Sequence, residues 1–326
     1  MTESKWIVGV DVGGTSVKIG IISAKGDIYK KWEIKTDKSN GGQRIMEDVW
    51  NSVQQKLSES NISSDNILGI GLGAPGFIDG DTGYIYEAVN IGWKEYDLPG
   101  HLKQLSGLPV FVENDANVAV LGENWQGAGR QEKNVIAITL GTGVGGGIIA
   151  NGEIVNGANG MAGEIGHMTI ETAGRPCNCG RAGCLETIAS ATGIVRQAME
   201  LIEAGNSESK LVEHFENHGV LTAKDIFNYA SLGDQEASSI VHYTADVLGL
   251  VIANMGALLN PSKVLIGGGV SKAGDQLLDA IKASFEKYAL ERVSSICDMR
   301  VAELGNDAGI IGAAFLVKQK VLHVSF

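Results

Sequence analysis

The chain has 326 residues, 44% hydrophobic and 20% charged, a globular composition that excludes a disordered or fibrous protein. Its net charge of −12 and pI near 5.0 argue against nucleic acid as a partner, because affinity for a phosphate backbone comes mainly from Lys and Arg. At roughly 150 residues per domain the length predicts two domains, and two lobes offer a cleft.

The first residues, Met1 to Trp6, lack the basic and apolar regions of a signal peptide, and no run is read as approaching the ~18 apolar residues of a membrane span. The expectation is a cytoplasmic protein with no membrane partner. The 45 glycines against 5 prolines point to many tight strand-to-loop transitions where backbone approaches something closely.

Residues 6–34 read as three strands joined by tight turns, Gly13-Gly14-Thr15 and Ala24-Lys-Gly-Asp27. Apolar residues at Ile45, Val49, Val53 and Leu57 predict a helix over 44–58, and Ile67 to Leu72 a short buried strand before Gly73-Ala-Pro-Gly76. Val110 to Val112 form another strand, which runs into Glu113-Asn-Asp-Ala-Asn117.

The opening pattern then returns. Ile7 to Ile28 and Val135 to Ile154 are each strand, Gly/Thr hairpin, strand, Gly-acid turn, strand. Two copies of one module imply two similar lobes related by a pseudo-twofold, with their Gly/Thr turns facing across a cleft. Between 189 and 258 the pattern is helical, with helices over 193–204, 223–233 and 237–259. Lys263 to Gly267 is a buried strand entering a third glycine turn, and 309–319 a final helix.

Three glycine turns at strand ends suit phosphates, because bare backbone N–H groups converge there. They are Asp11-Val-Gly-Gly-Thr15, Gly141-Thr-Gly143 and Gly267-Gly-Gly269. Together they could hold the phosphates and nucleoside of ATP, with Asp11 placed to hold Mg²⁺ through water. None matches a Walker or Rossmann fingerprint. Asn114 and Asp115 stand at a strand end, where ligands gather in open α/β sheets. Asp115 suits a base that takes a substrate hydroxyl's proton during phosphoryl transfer; Asp115 and Asn117 equally suit capping of the next helix.

Three of the four cysteines fall within Cys177-Asn-Cys-Gly-Arg-Ala-Gly-Cys184, and His167 stands ten positions upstream. Three thiolates and one imidazole are the inventory of a closed tetrahedral zinc site. Such an ion is saturated and structural, so the expected ligands His167, Cys177, Cys179 and Cys184 serve as a staple. The staple would hold Glu164 and Glu186 in a fixed relation, and these acids suit either a ligand or support of the metal ligands. Cys297 is expected to be packed in a buried strand.

These motifs, with Leu140 to Gly147 and Gly163-Glu-Ile-Gly-His167, make the whole chain resemble the ROK family of bacterial sugar kinases and repressors, within the actin, hexokinase and Hsp70 superfamily. The resemblance implies an α/β fold of two lobes built from duplicated ribonuclease H-like modules around a central cleft. The division expected is 1–116 with 306–326 as a small lobe, and 117–305 as a large lobe with the zinc loop and helical region.

The stretches 145–154 and 184–193 look most like glucokinases of Gram-positive bacteria. The resemblance therefore implies phosphorylation of glucose by Mg-ATP, with Asp115 as the base for the 6-hydroxyl and Asn114 as a sugar contact. Glu164, His167 and Glu186 would bind other hydroxyls, with His167 also on zinc, and Gly76 would offer backbone to the sugar. Gly13, Gly14, Thr15, Gly141, Thr142 and Gly143 would surround the phosphates, and Gly267, Gly268 and Gly269 the nucleoside. A homodimer is also implied. The alternatives are another hexose, such as N-acetylmannosamine or fructose, and a ROK repressor or sensor. A repressor would carry a winged helix ahead of the first strand, where this chain has ten residues before Asp11.

Overall fold

The computed structural model describes residues 5–205 and 208–326. In chain order the first half runs β1 (Trp6–Val12), β2 (Ser16–Ser23), β3 (Ile28–Lys35), α1 (Ile45–Glu59), β4 (Ile67–Ala74), β5 (Phe77–Ile78), β6 (Ile85–Ala88), β7 (Trp93–Tyr96), α2 (Leu98–Ser106), β8 (Val110–Asn114) and α3 (Asp115–Gln126). The second half runs β9 (Val135–Leu140), β10 (Val144–Ala150), β11 (Glu153–Ile154), α4 (Glu186–Ala189), α5 (Ala191–Glu203), α6 (Lys210–His218), α7 (Ala223–Ser231), α8 (Gln235–Leu259), β12 (Lys263–Gly267), α9 (Asp275–Tyr288), α10 (Glu291–Ser294), β13 (Asp298–Val301) and α11 (Ala308–Leu322).

The duplication read from residues 7–28 and 135–154 is present as sheet topology. One five-stranded sheet has the order β3-β2-β1-β4-β8 and the other β11-β10-β9-β12-β13. In the first, β1 pairs antiparallel with β2 and parallel with β4, and β4 parallel with β8. In the second, β12 lies parallel to both β9 and β13. Parallel central strands are covered on both faces, which is why β1, β4, β9 and β12 are nearly continuous apolar runs.

Two compact units emerge: unit 1 is 1–133, 147–163 and 303–326, and unit 2 is 134–146 and 164–302. Residues 117–133 and 147–163 thus fall with the N-terminal strands instead of in the large lobe expected for 117–305. The physical reason is packing of α3 on α11. A Cβ on Gly122 would stand 2.1 Å from the Ala308 carbonyl oxygen, and one on Gly312 1.6 Å from that of Val118, so the helix backbones meet directly.

In unit 1, α11 lies against the sheet with equal intimacy. Cβ atoms on Gly9 and Gly71 would approach the Ile310 and Ala313 carbonyls to 2.0 and 1.8 Å. These glycines at apolar strand centres exist for helix contact. The opposite face carries Val10, Ile19, Ile70 and Leu72 against Val49, Trp50 and Val53 of α1 and Leu98 and Leu102 of α2. The small antiparallel sheet β5-β6-β7 follows the Gly76 turn.

In unit 2, α8 is long and apolar enough to cross a membrane by length and composition alone, which corrects the expectation that no such run exists. Its apolar window is 67% buried within the protein. The helix packs on α7 and α9, and its apolar content is explained by that core role. Cys297 precedes β13 instead of lying within it and is half-buried, with its thiol pushed up to about 11 chiefly by burial.

Candidate active site and metal centre

Unit 1 carries Asp11, Gly13, Gly14, Thr15, Gly76, Asn114 and Asp115; unit 2 carries Gly141 to Gly143, Glu164, His167, the cysteines, Glu186 and Gly267 to Gly269. Strand β8 ends at Asn114 and helix α3 begins at Asp115. Asn114 caps that helix, its Oδ1 accepting from the N–H groups of Ala116 at 2.9 Å and Asn117 at 3.4 Å. Its Nδ2 donates to the Gly76 carbonyl at 3.3 Å, which brings two of the expected sugar contacts together. Gly76 has φ +104°, and a Cβ there would sit 2.2 Å from the Glu87 carbonyl oxygen, so only glycine fits this turn.

Asp115 is solvent-exposed at the helix start, with Oδ1 accepting from the Ala116 N–H at 2.9 Å. Asn117 does not cap. It is buried, and its Nδ2 donates to Glu113 Oε1 at 3.0 Å and Asn156 Oδ1 at 3.3 Å. Glu113, only 4% exposed, is the centre of this arrangement. It also accepts from the Asn114 N–H at 2.8 Å and from Asn156 Nδ2 at 3.0 Å. A buried carboxylate thus holds the loop that presents Asn114 and Asp115. Asn156 was not singled out from sequence, and Glu113 entered only as the first residue of the 113–117 motif, with no role of its own.

Asp11 lies near the end of β1, with its carboxyl packed on Gly309 at the start of α11. Burial raises its pKa, partly countered by Lys18, whose Nζ is 4.0 Å away. The following turn is closed by the Gly13 N–H donating to the Ser16 carbonyl at 3.0 Å and by Thr36 Oγ1 donating to the Gly13 carbonyl at 2.7 Å. Gly14, Thr15, Lys35, Thr36, Asp37 and Lys38 line a recess of about 650 Å³. The Lys38 Nζ lies 3.4 Å from the point a Gly14 Cβ would occupy.

In unit 2 the turn Gly141 to Gly143 is tied down from the α4–α5 segment. The Ala191 N–H donates to the Gly141 carbonyl at 2.8 Å and Thr192 Oγ1 to the Thr142 carbonyl at 3.0 Å. The third turn divides in role. Gly268, with φ +88°, packs on the Leu140 carbonyl. Gly269 lines a cavity of about 640 Å³ with Ala191, Lys224, Phe227, Lys272 and Gln276 among its walls; Gly267 and Gly268 do not line it.

The four expected metal ligands converge, with their donor atoms all within 4.8 Å of one another. Cys179 and Cys184 sulfurs are 3.7 Å apart, and Cys177 Sγ is 3.7 Å from His167 Nδ1. Tetrahedral ligands at the usual Zn–S distance of about 2.3 Å stand roughly 3.8 Å apart, and slightly less for a sulfur and an imidazole nitrogen. No disulfide competes for the thiols. The donor set and spacing therefore fit zinc. Local geometry makes the knuckle: the Cys177 N–H donates to the Arg181 carbonyl at 2.8 Å, Gly180 turns with φ +85°, and the Leu185 N–H donates to the Met168 carbonyl at 2.9 Å. Arg181 donates to the His167 carbonyl at 2.6 Å. Burial pushes the Cys184 thiol up to about 12, whereas the Arg181 N–H and guanidinium bring Cys179 down to about 6.

Glu164 is exposed and starts the single turn that ends at His167, whose N–H donates to the Glu164 carbonyl at 3.1 Å. Glu186 opens α4 directly after Cys184-Leu185. Its Oε2 accepts from the Val144 N–H at 3.0 Å, and Cys177 Sγ lies 3.8 Å from its Oε1. The zinc knuckle, Glu186 and the second glycine turn are one connected structure.

Comparison with known proteins agrees with this arrangement. A profile described as the ROK family matches residues 7–320. A glucokinase of Halalkalibacterium halodurans is 55% identical across 98% of this chain and 96% of its own length. A glucokinase of Thermotoga maritima is 36% identical, covering 97% of this chain and 98% of its own. The crystal structure of a ROK family glucokinase from Streptomyces griseus, in complex with glucose and AMPPNP, superposes with TM-score 0.74 at 33% identity, covering 96% of this chain and 99% of that one. The chain belongs to the ROK family, with the duplicated actin-like fold of its sugar kinases.

Proposed function

We propose that the protein transfers the γ-phosphoryl group of Mg-ATP to the 6-hydroxyl of glucose, giving glucose 6-phosphate and ADP. The observation that carries this reading is the 55% identity to a glucokinase over nearly the full chain. Asp115 acts as the base. Its position at the start of α3 is set by Asn114 and by the buried Glu113, so the carboxylate is presented on a rigid element. The proton of the 6-hydroxyl passes to Asp115 as the hydroxyl oxygen attacks the γ-phosphorus and the β–γ bridging bond breaks.

Asn114, Gly76, Glu164, His167 and Glu186 orient the sugar. Phosphoryl transfer asks mainly for positioning and charge stabilisation. The turns at Gly13 to Thr15 and Gly141 to Gly143 would supply N–H groups for the phosphates, Asp11 is the carboxylate that would hold Mg²⁺, whose charge would offset that of the phosphates, and Lys35 and Lys38 add positive charge beside the first turn. The 640 Å³ cavity beside Gly269 has the size and mixed lining of a nucleoside site.

A structural zinc held by His167, Cys177, Cys179 and Cys184 staples the loop and takes no part in bond making. The reduced thiols that such a site needs fit a cytoplasmic setting. A homodimer completes the reading. The test is ADP release from Mg-ATP with glucose, mannose, fructose, N-acetylmannosamine and N-acetylglucosamine side by side. Glucose is expected to dominate; dominance of another hexose would reassign the substrate, and sugar binding without ADP release would make the protein a sensor.

A further inference from the structure

We infer that Glu186 positions the nucleotide turn as well as the sugar. This rests on the proposed kinase reading, in which Gly141 to Gly143 meet the phosphates. Oε2 accepts from the Val144 N–H at 3.0 Å. The same oxygen lies 2.4 Å from the point a Gly143 Cβ would occupy, so the carboxylate fills the space beside the turn. Gly143 thus leaves room for the Glu186 carboxylate as well as for phosphates, and a Cβ there would shift the carboxylate.

Val144 is held on its other side too. A Cβ on Gly166 would stand 2.0 Å from the Val144 carbonyl oxygen, which seats the Glu164 to His167 turn against the next peptide of the same residue. Oε1 faces Cys177 in the zinc knuckle. Because Glu186 follows the ligand Cys184 by two residues, a rigid knuckle fixes Glu186 at its root, Glu186 fixes Val144, and Val144 anchors the C-terminal end of the glycine turn. The phosphates then meet N–H groups that are already oriented, and less ordering is left for nucleotide binding to drive.

Two substitutions separate the tasks. Glu186→Gln keeps an oxygen that accepts from the Val144 N–H, whereas Glu186→Ala removes it. Calorimetric titration with ADP, in the absence of sugar, reads the turn alone. Glu186→Ala is expected to weaken ADP binding about tenfold, equivalent to about 1.4 kcal/mol, while retaining one zinc per chain. Glu186→Gln should bind ADP within about twofold of wild type yet bind glucose several-fold more weakly, because a neutral amide replaces a charged acceptor. Should Glu186→Ala fail to fold, Gly143→Ala gives the reciprocal test: its Cβ displaces the carboxylate and should weaken glucose binding without nucleotide present. Wild-type ADP affinity in zinc-loaded Glu186→Ala, or unchanged glucose affinity in Gly143→Ala, overturns the inference while leaving the kinase reading intact. Wild-type protein that binds no ADP overturns both.

Discussion

Glu113 is the residue whose replacement should cost most for its apparent ordinariness. Its carboxylate accepts three hydrogen bonds, from the Asn114 N–H, Asn117 Nδ2 and Asn156 Nδ2, at 2.8 to 3.0 Å. Hydrogen bonds to a charged group contribute about 1.5–3 kcal/mol each, so Glu113→Ala forfeits roughly 5–9 kcal/mol gross. Release of the carboxylate's own burial penalty and entry of water into the space offset about half of that. The bond from Asn117 to Asn156 survives. At about 2.1 cal/mol/K per residue, a net loss of about 3–4 kcal/mol in a chain of 326 residues corresponds to a melting point roughly 4–6 °C lower.

The kinetic consequence is separate from the thermal one. Loosening the loop lets Asp115 drift from the sugar hydroxyl, and misplacement by about 1 Å costs on the order of a hundredfold in turnover. Glu113→Gln is the control. Its amide can accept on one oxygen and donate to a reversed Asn156 amide, at the expense of the longer Asn117–Asn156 bond, so the melting point should stay within about 2 °C of wild type. The assays are calorimetric melting and steady-state kinetics at a temperature where each variant is folded. A Glu113→Ala protein with wild-type melting and turnover would refute the claim that this network holds the catalytic loop.

Asp115→Asn should abolish phosphorylation while glucose binding stays within a few-fold, as read by titration; near-normal turnover would remove Asp115 from the role of base. Metal analysis of purified protein should return one zinc per chain, and Cys184→Ser should lose it, with lowered thermal stability on chelation of the wild type. Gly312→Ala forces a Cβ to 1.6 Å from the Val118 carbonyl oxygen, and the separation of α3 from α11 should cost about 3 kcal/mol or more, seen as loss of soluble protein or a strongly depressed melting point. Lys38→Ala should lower kcat with little change in glucose KM, and Lys38→Arg should recover much of it; equal kinetics in all three would remove Lys38 from the phosphate environment.

Local patterns were legible where one short segment carries the whole signal. Strand β1 with its glycine turn, the cysteine knuckle, and the boundary between β8 and α3 are each set by neighbours in sequence, and each appears where it was expected. The duplicated sheet was legible because the turns repeat with the strands. Helix α6 was missed because its only fully buried residue is Leu211, so little of the apolar period shows.

What depends on distant residues was not legible. Asn156 reaches Glu113 across 43 positions and looks like any loop asparagine. Gly9, Gly71, Gly122 and Gly312 carry no turn signal, and their purpose appears only when α11 packs on the sheet and on α3. The unit to which 117–133 belongs follows from that same packing, which no composition shift marks. Gly143 was read through phosphate alone because Glu186 lies 43 residues further on.

Transfer of ATP's terminal phosphoryl group to the 6-hydroxyl of glucose can be watched directly by phosphorus NMR of a reaction holding only the purified protein, Mg-ATP and glucose, with 6-deoxyglucose in a parallel tube. A single sugar phosphate, glucose 6-phosphate, is expected to form in step with ADP, and none from the 6-deoxy sugar. Phosphate appearing as inorganic phosphate alone, or on a carbon other than C6, would contradict the proposed transfer.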